Sequence, residues 1–264
     1  MGLFDRNTDL WGISNSGGVV REIKIPKTKD ELIDIIREEM KNTNSNDIDL
    51  NFIEVDSITD FSMLFSARSE YGFGELNPNI KCWKFWKPNK LDKVDDVATT
   101  VKLSNMFSWN TNLDHYPFGE YSLNQYTETS NCFLGCTGLK EVNMPKLVKW
   151  SNGNTIDTGS SSVNIDKGMF SGCINLESVH IPDGVCSISE DAFKECPIKE
   201  LHLDEWMQYI DENAFSNVIE NIFYNGSESD WNIKTGKEDI YNIKICNYHL
   251  SYNNISFRCQ KNEL

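Results

Sequence analysis

Two of the four histidines in the 264 residues stand in closely similar surroundings, Ser178-Val-His180-Ile181 and Glu200-Leu-His202-Leu203. Two imidazoles held side by side, with the Glu200 carboxylate nearby, are the residue types that bind a divalent ion or take up protons near neutral pH. The plainer reading is a solvated ladder of side chains without a metal, and no metal site is expected. Cys173 and Cys196 lie close to these histidines in the chain and raise the question of a Cys–His nucleophile. Strand alternation turns the thiols inward and the imidazoles outward, so the two groups fall on opposite sides of one layer. The sequence has no G-x-S-x-G elbow and no phosphate-cradling glycine loop. No catalytic residue is nominated, no cofactor is implied, and a non-enzymatic protein is expected.

Aromatic residues are the other chemical resource. Trp83-Lys-Phe85-Trp86, with Trp109 further on, could present rings to a carbohydrate or a peptide. Alternation places Trp83 and Phe85 on one face, which reads as core, and leaves Trp86 and Trp109 as candidate contacts. The binding residues proposed from the sequence are therefore Asn143, His180, His202 and Phe223, with Glu200, Trp86 and Trp109 beside them.

The element that positions these residues is a repeat. Met169 to Leu203 reads MFSGCINLESVHIPDGVCSISEDAFKECPIKELHL, in which Phe170 aligns with Phe193, Cys173 with Cys196, Val179 with Leu201 and Ile181 with Leu203, at an offset of 22 to 23 residues. Self-similarity at such a period marks a solenoid, whose units bury their apolar faces only against each other. The phenylalanine column extends through Phe65, Phe107, Phe133, Phe170, Phe193 and Phe215. Leu113, Leu139, Leu176 and Ile198 form a second column, and Ile165, Ile188 and Ile210 a third. Period-two alternation at 141–144, 178–181, 200–203 and 221–224 reads as one short strand per coil, stacked into a parallel ladder. Ser62, Ser104 and Ser130, three residues ahead of a phenylalanine, and Ser189 and Asp211, four residues ahead of one, read as caps of short helical turns. Cys136, Cys173 and Cys196 share one column and are expected to be buried thiols, not disulfides or zinc ligands.

An open solenoid exposes its core at both ends and needs caps. Thr28-Lys-Asp-Glu31 is a capping box followed by Leu32, Ile33, Ile35, Ile36 and Met40 at helical spacing, which predicts a sealing helix over 29–42. The expected organisation is a flexible segment at 1–17, an N-terminal capping unit at 18–56, repeats at 57–224 and a C-terminal cap at 225–264 with strands at 241–245 and 250–257. Ser151 to Asn164, rich in Gly, Ser, Thr and Asn, is expected to project as a loop.

The pattern F-x-G-C-x-x-L-x-x-V-x-[IM]-P, at Phe133 to Pro145 and again at Phe170 to Pro182, resembles the BspA-like leucine-rich repeats. Ser57-Ile-Thr-Asp-Phe-Ser-Met-Leu-Phe65 and Asn79-Ile-Lys-Cys-Trp83 are similar to a related bacterial surface-protein repeat. Asn225-Gly-Ser-Glu-Ser-Asp-Trp231 resembles the tail that follows the last such repeat. The resemblance implies a leucine-rich-repeat solenoid of short parallel β-strands and helical turns with a helical N-terminal cap and a small C-terminal cap. It also implies a non-catalytic adhesion or binding module for a protein or glycan ligand, of the kind found on host-associated bacteria or encoded by their phages.

Bulk composition narrows the partners. Forty acidic and twenty-five basic residues give a net charge of −15, a field that repels phosphate backbones and anionic headgroups, so nucleic acid is not expected. An intracellular acidic effector that blocks a basic protein site is the alternative reading. Met1 to Gly18 lacks the apolar core of a signal peptide, and no apolar run reaches the roughly 20 residues of a membrane span. Synthesis in the cytoplasm is therefore expected, with virion attachment as one route to a cell surface.

Overall fold

Thr28 begins the first element. Its Oγ1 accepts the Glu31 N–H at 3.2 Å, and the Glu31 carboxylate reaches back one residue further than a capping box requires, accepting the Lys27 N–H at 2.6 Å. With its first N–H groups satisfied, helix α1 runs over Lys29–Asn42, buries Leu32, Ile33 and Ile36, and packs Ile35 and Met40 against the core. The helix covers the first coil as a lid. The structure is a computed structural model that describes residues 21–85, 100–119, 123, 127–144, 149–151, 155–157, 163–181, 184–204, 207–216, 219, 221–225, 249–251 and 254–257.

After α1 the chain contributes short strands: β1 (Asp47–Asp49), β2 (Asn77–Asn79), β3 (Val101–Lys102), β4 (Thr127–Glu128), β5 (Glu141–Asn143), β6 (Lys149–Ser151), β7 (Thr155–Asp157), β8 (Val163–Ile165), β9 (Ser178–Ile181) and β10 (Val185–Ile188). There follow β11 (Glu200–Asp204), β12 (Tyr209–Ile210), β13 (Asn221–Asn225), β14 (His249–Ser251) and β15 (Asn254–Phe257). Strands β5, β9, β11 and β13 pair in parallel, with Val142, Val179, Leu201 and Ile222 in register, and β8, β10 and β12 form a second parallel sheet through Ile165, Ile188 and Ile210. From β8 onward each coil thus supplies one strand to each wall, and the molecule is the leucine-rich-repeat solenoid implied by its repeat. At the C-terminal end β15 adds antiparallel to β13 and β14 to β15. Residues 241–245, 227–231 and the segment 1–17 lie outside the described residues.

The inside is a set of vertical columns. The rings of Phe65, Phe107, Phe133, Phe170, Phe193 and Phe215 stack in one continuous row, with centroids 5.1–5.3 Å apart and planes 3–11° from parallel. Leu113, Leu139, Leu176 and Ile198 are buried beside them. Trp83 and Phe85 are 1% exposed and pack on Phe61, as their alternation predicts.

The thiol column carries a hydrogen bond as well as bulk. Cys136, Cys173 and Cys196 each donate Sγ–H to the carbonyl of the preceding coil's phenylalanine, at 3.0 Å to Phe107, 3.2 Å to Phe133 and 3.0 Å to Phe170. Asn110 occupies the equivalent place one coil earlier. Its Nδ2 donates to the Phe65 carbonyl at 3.3 Å and the Leu76 carbonyl at 2.7 Å, while Oδ1 accepts the N–H groups of Asn112 and Leu113, both at 3.1 Å.

Two expectations are corrected. The segments around each phenylalanine are not capped helical turns. Met63, Asn105, Asn131, Gly168 and Asp191, two residues before the phenylalanines, have φ between 54° and 65°, and Trp109, Gly135, Gly172 and Glu195, two residues after, have φ between 63° and 72°. Left-handed residues at both flanks end any helix at once. They turn N–H groups along the solenoid axis, so Asn105 N–H donates to Ser130 O, Phe107 N–H to Cys132 O and Trp109 N–H to Leu134 O, and the pattern repeats in the next coil from Asn131, Phe133 and Gly135. This ladder offsets the roughly 1–2 kcal/mol that a non-glycine residue loses in the left-handed region. Ser104 does not cap a helix; its hydroxyl donates to the Glu128 carboxylate of the next coil at 2.7 Å.

The second correction concerns 151–164. Strands β6 and β7 form an antiparallel hairpin with Trp150 opposite Ile156, and Val163 and Asn164 already belong to β8. Alternation in Lys149-Trp-Ser151 and Thr155-Ile-Asp157 around an Asn-Gly-Asn centre is a hairpin signal that polar composition masked.

At Gly135 the turn geometry has a direct test. A Cβ there would stand 2.5 Å from the Trp109 ring, and φ is +70°. Gly135→Ala should destabilise the protein by about 1–2 kcal/mol from backbone strain alone, and shift Trp109 emission as the indole is displaced, which denaturant titration and fluorescence would measure.

Candidate binding strip on the strand face

Outward-facing residues of the parallel sheet line up because the strands pair without stagger. Asn143 lies opposite His180, His180 opposite His202 and His202 opposite Phe223. The row continues by register to Ser256 on β15 and His249 on β14. Val142, Met144, Val179, Ile181, Leu201, Leu203, Ile222 and Tyr224 alternate with them and are buried, so the row is bolted to the core on both sides. The four residues the repeat predicted on this face are brought together.

The rings form a stack. His180 and His202 have centroids 5.6 Å apart at 24°, and His202 and Phe223 4.3 Å apart at 10°. His180 and Asn143 are exposed, whereas His202, between two rings, is half-buried. A second row two residues back consists of Glu141, Ser178, Glu200 and Asn221, again in register. Asn143 donates Nδ2–H to the Glu141 carboxylate. Glu141 was visible in the repeat as the counterpart of Glu200; the register makes it part of the strip. His249 could not be found by period, because it arrives through an antiparallel hairpin.

The remaining sequence candidates are elsewhere. Trp109 sits on the turn side, 38% exposed, with Arg68 over its ring at 4.1 Å and Gly135 against it. With those neighbours on its ring it offers little free surface for a sugar, and it does not join the row. Trp86 lies outside the described residues. A cleft of about 260 Å³ at the N-terminal end is lined by Ile23, Phe52, Ile53, Val55, Cys82 and Lys84 among others, none of them a predicted site residue.

Electrostatics fix what the strip can do. Burial between two rings, with His180 as a like neighbour, holds the His202 pKa below its ordinary 6.5, against a smaller opposite pull from Glu200. The imidazole is therefore neutral at pH 7. The unfolded chain binds this proton at about 6.5 and the folded one only at lower pH, so stability is complete above 6.5 and falls as pH drops through the folded value. Urea midpoints should decline between pH 7 and 5, where most carboxylates remain charged, and His202→Asn should flatten that part of the curve.

Burial pushes the Cys136 thiol up to about 12 and the Cys173 thiol well above the ordinary cysteine range. Cys173 is fully buried and bonded to a carbonyl while His180 is exposed, so they form no nucleophile pair. Among the described residues no group of three or more His, Cys, Asp or Glu side chains is placed to hold a metal ion, and no described helix is long and apolar enough to cross a membrane.

Stacked strands on one wall, tight turns on the other and an exposed register row define the class, a leucine-rich-repeat solenoid. Residues 149–261 match the BspA type leucine rich repeat region in six copies. The matched span carries BspA-type leucine-rich repeats, and the structure carries the phenylalanine row back to Phe65, ahead of that span. No curated protein and no solved structure matches it. Such repeats commonly serve as binding or adhesion modules.

Proposed function

We propose that this protein is a non-catalytic binding module that engages its ligand, a protein or glycan, through the strand-face row Asn143, His180, His202 and Phe223. The observation that carries this is the row itself. Three rings and an amide are held in register on the outward face of a sheet whose other face is the core. Side chains so fixed lose little further entropy when a ligand arrives, which is what preorganisation contributes to affinity. Phe223 is only half-buried and lies on the polar side of its strand, where the fold itself requires no phenylalanine.

The test compares two surfaces on glycan and protein arrays. A variant carrying His180→Ala, His202→Ser and Phe223→Ser should lose capture of whatever the native chain retains. A turn-side control, Lys194→Ser with Glu195→Gly, should keep it. Loss in the control and retention in the strand variant would overturn the proposal.

A further inference from the structure

We infer that the strip of Glu141, His180, Glu200, His202 and Phe223 docks a basic protein segment, one presenting arginine or lysine side chains, and releases it when the histidines become charged. The inference rests on the docking reading above and names the partner's chemistry.

The ring geometry argues first. A sugar stacks its apolar face on an open aromatic face, but here the faces are turned on one another, at 5.6 Å and 24° for His180 with His202 and at 4.3 Å and 10° for His202 with Phe223. Along most of the ladder solvent meets ring edges. The edge of a neutral imidazole offers one acceptor nitrogen, and a carboxylate offers acceptors alone. Glu141 and Glu200 are exposed and in register through Ser178, and the Asn143 amide already gives a hydrogen to Glu141. The strip is thus rich in acceptors and poor in donors. A guanidinium supplies five donors in a planar fork, with a hydrocarbon stem that can lie beside Phe223.

Charge points the same way. The titratable groups beside the two imidazoles are Glu141 from β5 and Glu200 from β11, with Glu177 just ahead of β9 and Lys199 just ahead of β11. Lys140 precedes β5, and Asp204 and His249 lie further off by register. Lys199 Nζ is engaged by Glu177 at 2.7 Å. β13 brings Asn221 and Phe223, neither of which titrates. The net charge of −15 steers a basic partner toward the surface before contact. Protonation of an imidazole in the row converts its acceptor into a donor and places positive charge against the bound cation, so acid should loosen the complex.

The experiment uses the isotope-labelled full chain with hexa-arginine as probe and cellohexaose as the neutral comparator, read by backbone amide shifts. Hexa-arginine should shift Glu141, His180, Glu200, His202 and Phe223 saturably. Its affinity should fall by about tenfold or more in the Glu141→Gln, Glu200→Gln double variant, the loss expected when charge-assisted hydrogen bonds are removed. Affinity should also fall several-fold between pH 7.5 and 5.5, and the His180→Asn, His202→Asn variant should bind more weakly at pH 7.5 and lose most of that pH dependence. Shifts spread over the acidic surface without saturation, unchanged affinity in the glutamine variant, or tighter binding at pH 5.5 would overturn the inference. Cellohexaose acting on the strip in place of hexa-arginine would overturn the basic partner and leave the docking site standing. Retention of ligand by the strand-face variant on the arrays would remove the site itself.

Discussion

Truncating Phe170 to alanine should lower the free energy of unfolding by roughly 3–5 kcal/mol, the range for deleting a large buried side chain together with the cavity it leaves. The ring is fully buried between Phe133, at 5.1 Å and 7°, and Phe193, at 5.2 Å and 3°. Its neighbours cannot close the gap. The coil spacing is fixed on one side by the parallel sheet and on the other by the turn ladder, where Phe133 N–H bonds Met169 O and Phe170 N–H bonds Ala192 O, each at 2.8 Å. A loss of this size is comparable to the whole stability of an ordinary domain. Urea unfolding should show a much lower midpoint for Phe170→Ala. Phe215→Ala, at the half-exposed end of the same row, should cost distinctly less, and equal losses at both positions would contradict a continuous stack.

The second large effect is expected at Asn110, which is fully buried. Replacement by leucine removes the partners of two carbonyls, Phe65 and Leu76, and two N–H groups, Asn112 and Leu113. Each orphaned buried group costs about 1–3 kcal/mol, so a total of roughly 3 kcal/mol or more is expected even if some regain water. Asn110→Cys is the informative companion. A thiol at this place restores the donor to the Phe65 carbonyl, as Cys136 does for Phe107, but supplies nothing to the other three groups. Its loss should fall between native and Asn110→Leu in the same denaturant series.

These two sites also show what the sequence could reveal. The phenylalanine row, the strand registers and the sealing helix are legible because each coil presents the same surroundings to the same letter, and repetition multiplies a weak signal. Asn110 was hidden because two chemically different donors, an amide and a thiol, perform one task in one column. The turn geometry was hidden for a related reason. Beside the tolerant Asn105, Asn131, Asp191, Gly135, Gly168 and Gly172, its left-handed positions hold Met63, Trp109 and Glu195, which share no side-chain chemistry, only a backbone ladder that compensates them. On the strand face, the row of four residues followed from alternation, whereas Trp109 depended on where Arg68 and Gly135 lie, and no period encodes that. The second carboxylate, Glu141, could be placed only when the strand pairing was known.

The thiol column gives the molecule a set of built-in clocks. Cys82 is exposed, but Cys136, Cys173 and Cys196 are buried in successive coils and bonded to the coil before each. An alkylating reagent can reach a buried thiol only during an opening event, so labelling rates report local opening free energies. Followed by peptide mass mapping, the order in which these three sulfurs react would show whether the spiral frays from one end or parts in the middle.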